Sequence, residues 1–170
     1  MGCGKSTMGR AVSQLTGLPF IDLDNYIEGR YHLTVREIFA QRGEEGFRDV
    51  ERRMLQEVSD FEDVIVACGG GTPCFFDNME YMNERGTTVF LNIPIPRLHS
   101  RLMRGRHKRP LIANKSDEEL LEFIEKALAS RMEHYQKAQI EFSSERLENK
   151  SEIENTAREF VELLSIPINK

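Results

Sequence analysis

Two nearly continuous apolar runs, DVIVACGGG (63–71) and TTVFLNI (87–93), constrain what this chain can fold into more than any other feature. Short β-branched runs without polar alternation suit strands covered on both faces, as in a parallel sheet wrapped by helices. LPFIDLD (18–24) reads the same way, and AQIEFSS (138–144) is a weaker fourth candidate. Between these runs, segments 5–16, 34–41, 44–60, 77–85, 95–104, 116–135 and 151–164 carry helical spacing. Three of them open on a capping box: Thr34 with Glu37, Ser116 with Glu119 and Ser151 with Glu154. The alternation predicts an α/β fold, a parallel sheet with helices on both faces.

No repeat, low-complexity tract or linker interrupts the 170 residues, so the chain reads as one domain spanning 1–170. The 23 basic and 28 acidic residues leave a net charge of −5, which argues against a general nucleic-acid binder. No apolar run approaches a membrane span, so no membrane partner is expected. Cys3, Cys68 and Cys74 form no disulfide framework, and His32, His99, His107 and His134 show no metal-ligand spacing. A reduced, cytoplasmic setting follows as the expectation.

The chain opens MGCGKST, the closing half of the phosphate-binding pattern G-x-x-x-x-G-K-[ST]. In such a loop, backbone N–H groups make an anion nest at a helix N-terminus, where the macrodipole favours phosphate. Gly2 and Gly4 permit close approach, Lys5 can reach the β and γ phosphates, and the Ser6 hydroxyl can hold Mg²⁺. Gly2, Cys3, Gly4, Lys5, Ser6 and Thr7 are therefore the candidate nucleotide segment. Met8, Val12 and Leu15 continue a helical stripe that Gly17 can stop. The loop's opening glycine and the strand that normally feeds it are absent from the sequence. That strand is usually central, with a hydrogen-bonded ladder on each side, so the expectation is a natural chain beginning some residues earlier, with Met1 internal.

Asp22 and Asp24, two apart in FIDLD, should share one side at the carboxyl end of a strand, where open α/β sheets bind ligands. One can support a Mg²⁺ shell while the other orients or deprotonates an attacking hydroxyl. Arg48 follows Phe47 in GEEGFRDVERR, and Gly69, Gly70 and Gly71 follow a strand, where bare backbone can approach a bound ring. RLMRGRHKRPLIANKSDEE concentrates Arg101, Arg104, Arg106, His107, Lys108 and Arg109 in an acidic chain, which suits a lid over ATP phosphates. Taken alone, the triple glycine reads equally as a plain loop, and Arg131 as an exposed helix residue.

MGCGKST, FIDLD, EEGFRDVE, CGGGTP, RPLI and SRMEHY stand in the order and approximate spacing of shikimate kinases, which the whole chain resembles. The resemblance implies a P-loop NTPase-type three-layer fold with five parallel strands ordered 2-3-1-4-5, the first missing here. It implies a substrate-binding helical segment near 25–60 and a lid near 104–116. It also implies ATP-dependent phosphorylation of shikimate to 3-phosphoshikimate, on the path to chorismate and aromatic amino acids, by a monomer. Asp24 resembles the base that binds the shikimate hydroxyls, and Asp22 the partner near Mg²⁺. Arg48 and Arg131 resemble the pair gripping the shikimate carboxylate, and Gly69–Gly71 the backbone lining its ring. Lys5 and Ser6 match the phosphate lysine and the Mg²⁺ ligand, and Arg109 the lid arginine that reaches ATP. Which of Arg104 and Arg106 would stack on adenine stays open. Two other readings also stay open: a small kinase of gluconate-like sugar acids, and a catalytically silent binding protein derived from such a kinase.

Overall fold

A computed structural model describes residues 2–105 and 112–169. Helix α1 (Lys5–Thr16) leads to β1 (Phe20–Asp22), α2 (Leu23–Tyr31), α3 (Val35–Ser59) and β2 (Ile65–Ala67). A 3₁₀ turn (Thr72–Cys74) precedes α4 (Asn78–Arg85), β3 (Val89–Asn92) and α5 (Ile95–Arg104). The chain ends with α6 (Asp117–Ala129), α7 (Met132–Tyr135), β4 (Ile140–Ser143) and α8 (Lys150–Leu163).

Successive strand residues point to opposite faces, and here they meet different helices. Ile65 packs with Met8 and Val12 of α1 and Ala157 and Val161 of α8, whereas Val66 packs with Val50 and Met54 of α3. Leu91 and its register partner Phe142 join the α1/α8 side. A third cluster joins Leu98 and Leu102 of α5 to Ile112 and to Leu120 and Ile124 of α6. Helices thus cover both faces of parallel strands, as the alternation predicts.

Each expected strand contains an observed one. They form two parallel pairs, β1 with β2 and β3 with β4, and no sheet pairing joins β2 to β3 among the described residues. A cavity of about 1070 Å³ lies there, lined by Ile65 and Val66 on one side, Val89 and Leu91 on the other, and Met8 and Val12 of α1. In the order 2-3-1-4-5 this is the place of the first strand. Facing edges open to the cavity explain why β3 is half-buried along its length rather than enclosed as expected.

Several helix boundaries differ from the sequence expectation. α2 was not foreseen; Leu23, fully buried, starts a helix where the apolar run read as continuing strand. Within α3, however, segments 34–41 and 44–60 are separated as expected, by Gly43, whose φ of 68° and ψ of −173° are non-helical. Conversely, 116–135 breaks at Ser130 and Arg131 into α6 and α7. The boxes at Thr34 and Ser116 form as read, but α8 is capped by Asn149, whose side chain accepts from the Glu152 N–H. Ser151 lies inside that helix, because Asn149 captures a free N–H two residues earlier.

Candidate active site

The N-terminal loop adopts the backbone its glycines permit. Gly2 (φ 81°) and Gly4 (φ 99°) are left-handed, and Gly4 caps α1. A Cβ at Gly4 would lie 2.4 Å from Leu147 Cδ1, and one at Gly2 2.8 Å from Leu102 Cδ2. A side chain at either position would be strained by the positive φ and would also have to displace a leucine methyl. Lys5 and Ser6 open α1, where N–H groups lack helical acceptors and the dipole favours anions; Cys3 is partly buried beside them and Thr7 is exposed.

Ser6 Oγ donates to Asp22 Oδ2 at 2.5 Å, joining the loop to the end of β1. Asp24 lies in the first turn of α2 rather than on the strand, so helix geometry and not strand alternation places it near Asp22. Its side chain is exposed, yet desolvation by the surrounding protein, with Asp22, Glu51 and Glu28 nearby, raises its carboxyl pKa above the ordinary value; Lys5 opposes this. A Cβ on Gly69 would stand 3.5 Å from Asp24 Oδ1 and 3.3 Å from Glu51 Oε1, so the glycine backbone sits directly against the acidic pair.

Arg48 rises from the middle of α3 into a prepared setting. Its guanidinium carbon lies 4.0 Å from the Phe75 ring centroid, 5.3 Å from that of Phe47 and 6.0 Å from that of Phe39. Nη1 donates to Glu51 Oε2 at 2.7 Å, and exposed Glu44 sits 3.4 Å from Nη2. Glu51, only 1% exposed, also accepts from Thr72 Oγ1 at 2.6 Å, fixing the turn after the triple glycine. Gly71 packs on the same guanidinium, with a Cβ there falling 2.8 Å from Nη2. Arg131 caps α7, and its positive charge reaches Cys74 together with that of Arg48. Arg48 thus stands against Gly71, and the segment that carries Arg131 reaches the same backbone through Tyr135, whose hydroxyl donates to Gly70 O. Arg101 instead holds the segment after β4, donating to Ser144 O, Glu145 O and Glu148, and Arg104 pairs with Glu148.

The structure thus gathers Lys5, Ser6, Asp22, Asp24, Arg48, Gly69, Gly70, Gly71 and Arg131 toward the carboxyl ends of β1 and β2. Arg109, with Arg106, His107 and Lys108, lies outside the described residues. The sequence reading missed Glu51, although its place three residues after Arg48 on a helix is the spacing of neighbouring side chains. It missed Phe75 too, for which no local pattern gives a signal.

The chain matches the profile of the family described as Shikimate kinase over residues 1–165. It belongs to the shikimate kinase family. The Phocaeicola vulgatus shikimate kinase is 54% identical over 154 residues, covering 91% of this chain and 88% of that one. A crystal structure of the Bacteroides thetaiotaomicron shikimate kinase superposes with a TM-score of 0.94 at 48% identity, over 97% of this chain and 94% of that one. The Acinetobacter baumannii shikimate kinase, solved in complex with shikimate, gives a TM-score of 0.80 at 30% identity, covering 97% of this chain and 88% of that one. The P-loop α/β fold expected from the sequence is that of these neighbours.

Proposed function

We propose that this chain transfers the γ-phosphoryl group of ATP to a hydroxyl of shikimate, giving 3-phosphoshikimate and ADP. The observation that carries the reading is that Gly69 lies against Asp24 and Gly71 against Arg48, while Ser6 of the phosphate loop is bonded to Asp22, two residues before Asp24. A small carboxylate substrate is recognised by guanidinium forks, each charge-assisted bond contributing about 1.5–3 kcal/mol. With the acid end held by Arg48 and Arg131, the ring lies along the glycine backbone and a ring hydroxyl meets Asp24.

Asp24 orients that hydroxyl and accepts its proton as the phosphoryl group arrives. The transition state of such transfers is loose, so a well-placed carboxylate suffices and a strong base is unnecessary. Lys5 and the N–H groups after Gly4 hold the transferred phosphate, with Arg109 as a further cation for the ATP phosphates. Ser6 Oγ and the Asp22 carboxylate, hard oxygen donors already joined, would hold a Mg²⁺ ion. Bound there, the ion would neutralise charge on the phosphate oxygens.

The test is ADP release from ATP by the 170-residue chain, with shikimate, gluconate or no acceptor. Release that requires shikimate supports the assignment. Release driven by gluconate, or independent of any acceptor, overturns it.

A further inference from the structure

Between the halves of the site stands a tyrosine that phosphate and carboxylate chemistry do not call for. Tyr135 ends α7, one turn after Arg131, and its N–H donates to the Arg131 carbonyl at 3.0 Å. Residues four apart on a helix share a face, so the two side chains leave α7 together. The Tyr135 hydroxyl donates to the carbonyl of Gly70 at 2.7 Å. Its ring stacks on Phe90 of β3, centroids 5.0 Å apart and planes 28° from parallel.

Gly70 is the middle residue of the triple glycine. Gly69, before it, lies against Asp24, and Gly71, after it, lies against Arg48. One hydrogen bond therefore ties the Arg131 segment to the backbone between the other two substrate-facing groups. The tie also crosses the sheet. Phe90 and α7 belong to the β3–β4 pair, whereas Gly70 follows β2, and no strand pairing joins those pairs among the described residues. A satisfied interior hydroxyl with no part in the reaction is the simpler account of a half-buried tyrosine. It does not explain why the acceptor is this carbonyl, on the far side of a cavity, rather than one in the tyrosine's own half.

We infer that Tyr135 is the positioning residue of the acid-binding site, setting the distance between Arg131 and the Gly69–Gly71 backbone. It acts through Arg131 and does not touch the substrate. The inference rests on the assignment of Arg131 to the substrate carboxylate, and its test separates the two.

Shikimate and ATP binding to the 170-residue chain are measured by calorimetry for Arg131→Ala, Tyr135→Phe and the double variant, with thermal melting alongside. Tyr135→Phe keeps the ring on Phe90 and removes only the hydroxyl. It should weaken shikimate binding about tenfold while ATP affinity stays within about twofold. In the Arg131→Ala background the same change should cost nothing further, since the residue it positions is gone. If Arg131→Ala leaves shikimate affinity unchanged, the reading of the site fails first. If Arg131→Ala weakens shikimate but Tyr135→Phe does not, or weakens ATP equally, only the role of Tyr135 is overturned. Equal losses from Tyr135→Phe with and without Arg131, or a loss tracking a fall in melting temperature, would likewise show a tyrosine that merely packs.

Discussion

Arg48 is held from several directions: rings against its guanidinium, Glu51 on one nitrogen and the Gly71 backbone beside another. Its partner Glu51 is buried, and removing one member of a buried pair leaves the other charge uncompensated. Glu51→Ala should therefore destabilise the fold by about 3–5 kcal/mol, read by urea unfolding, and release Thr72 as well. Asp24 follows the opposite rule. Its pKa is raised by burial and by Asp22 and Glu51, so its ionised form opposes folding. Its contribution is most favourable at low pH, where the carboxyl is protonated, and is lost as pH rises through the folded pKa. Asp24→Asn should cut turnover roughly 10²-fold or more while melting temperature at neutral pH holds or rises. The acid limb of kcat/KM for shikimate should lie above the ordinary carboxylate value of 3.8 and vanish in that variant. A lowered melting temperature together with normal turnover would remove Asp24 from its role.

Among the elements, α3 depends on one residue. Gly43 combines a φ of 68° with a ψ of −173°, a region open essentially to glycine, and a Cβ there meets nothing within 4 Å. Gly43→Ala should thus cost about 1–3 kcal/mol through backbone strain alone, measurable by chemical denaturation. Should the variant be as stable as the parent, α3 would have to be straight at 43 in solution. The same stretch shows what the sequence could and could not reveal. Gly43 at the head of GEEGFRDVERR interrupts the helical stripe, so the break is legible, but the common burial of Ile38 before it and Phe47 after it in one core with α2 is not. The strands were legible, since β-branched runs in an alternating chain leave few options. α2 was not: Leu23 and Ile27 are its only fully buried side chains, and they follow a strand without a break. Of the site, residues within recognisable phosphate and arginine motifs could be read. The supports of those residues could not, because Phe75 and Tyr135 act across distances that only the folded chain closes.

At the scale of the whole molecule, the strands among the described residues form two pairs rather than a continuous layer. The Ile65 N–H donates to Pro19 O, so by alternation the Val66 N–H points to the cavity; Thr88 O accepts from Ile140, which leaves the Leu91 N–H facing the cavity too. Hydrogen exchange should find Val66 and Leu91 at least roughly tenfold faster than Ile65 and Phe90. Similar protection at all four positions would mean that the gap is closed in solution.

The cavity also changes what a bound acid would mean mechanically. Arg48 and Asp24 ride on the β1–β2 pair, while Arg131 travels with β3 and β4 through the stacked ring of Tyr135. A molecule gripped at one end by both guanidiniums would become a strut between two plates that are otherwise joined through the α1 and α8 core and the Tyr135 hydrogen bond. Affinity for that molecule would then report the spacing of the plates, and anything wedged into the gap, however far from the reacting atoms, would be felt as a change in how well the acid fits.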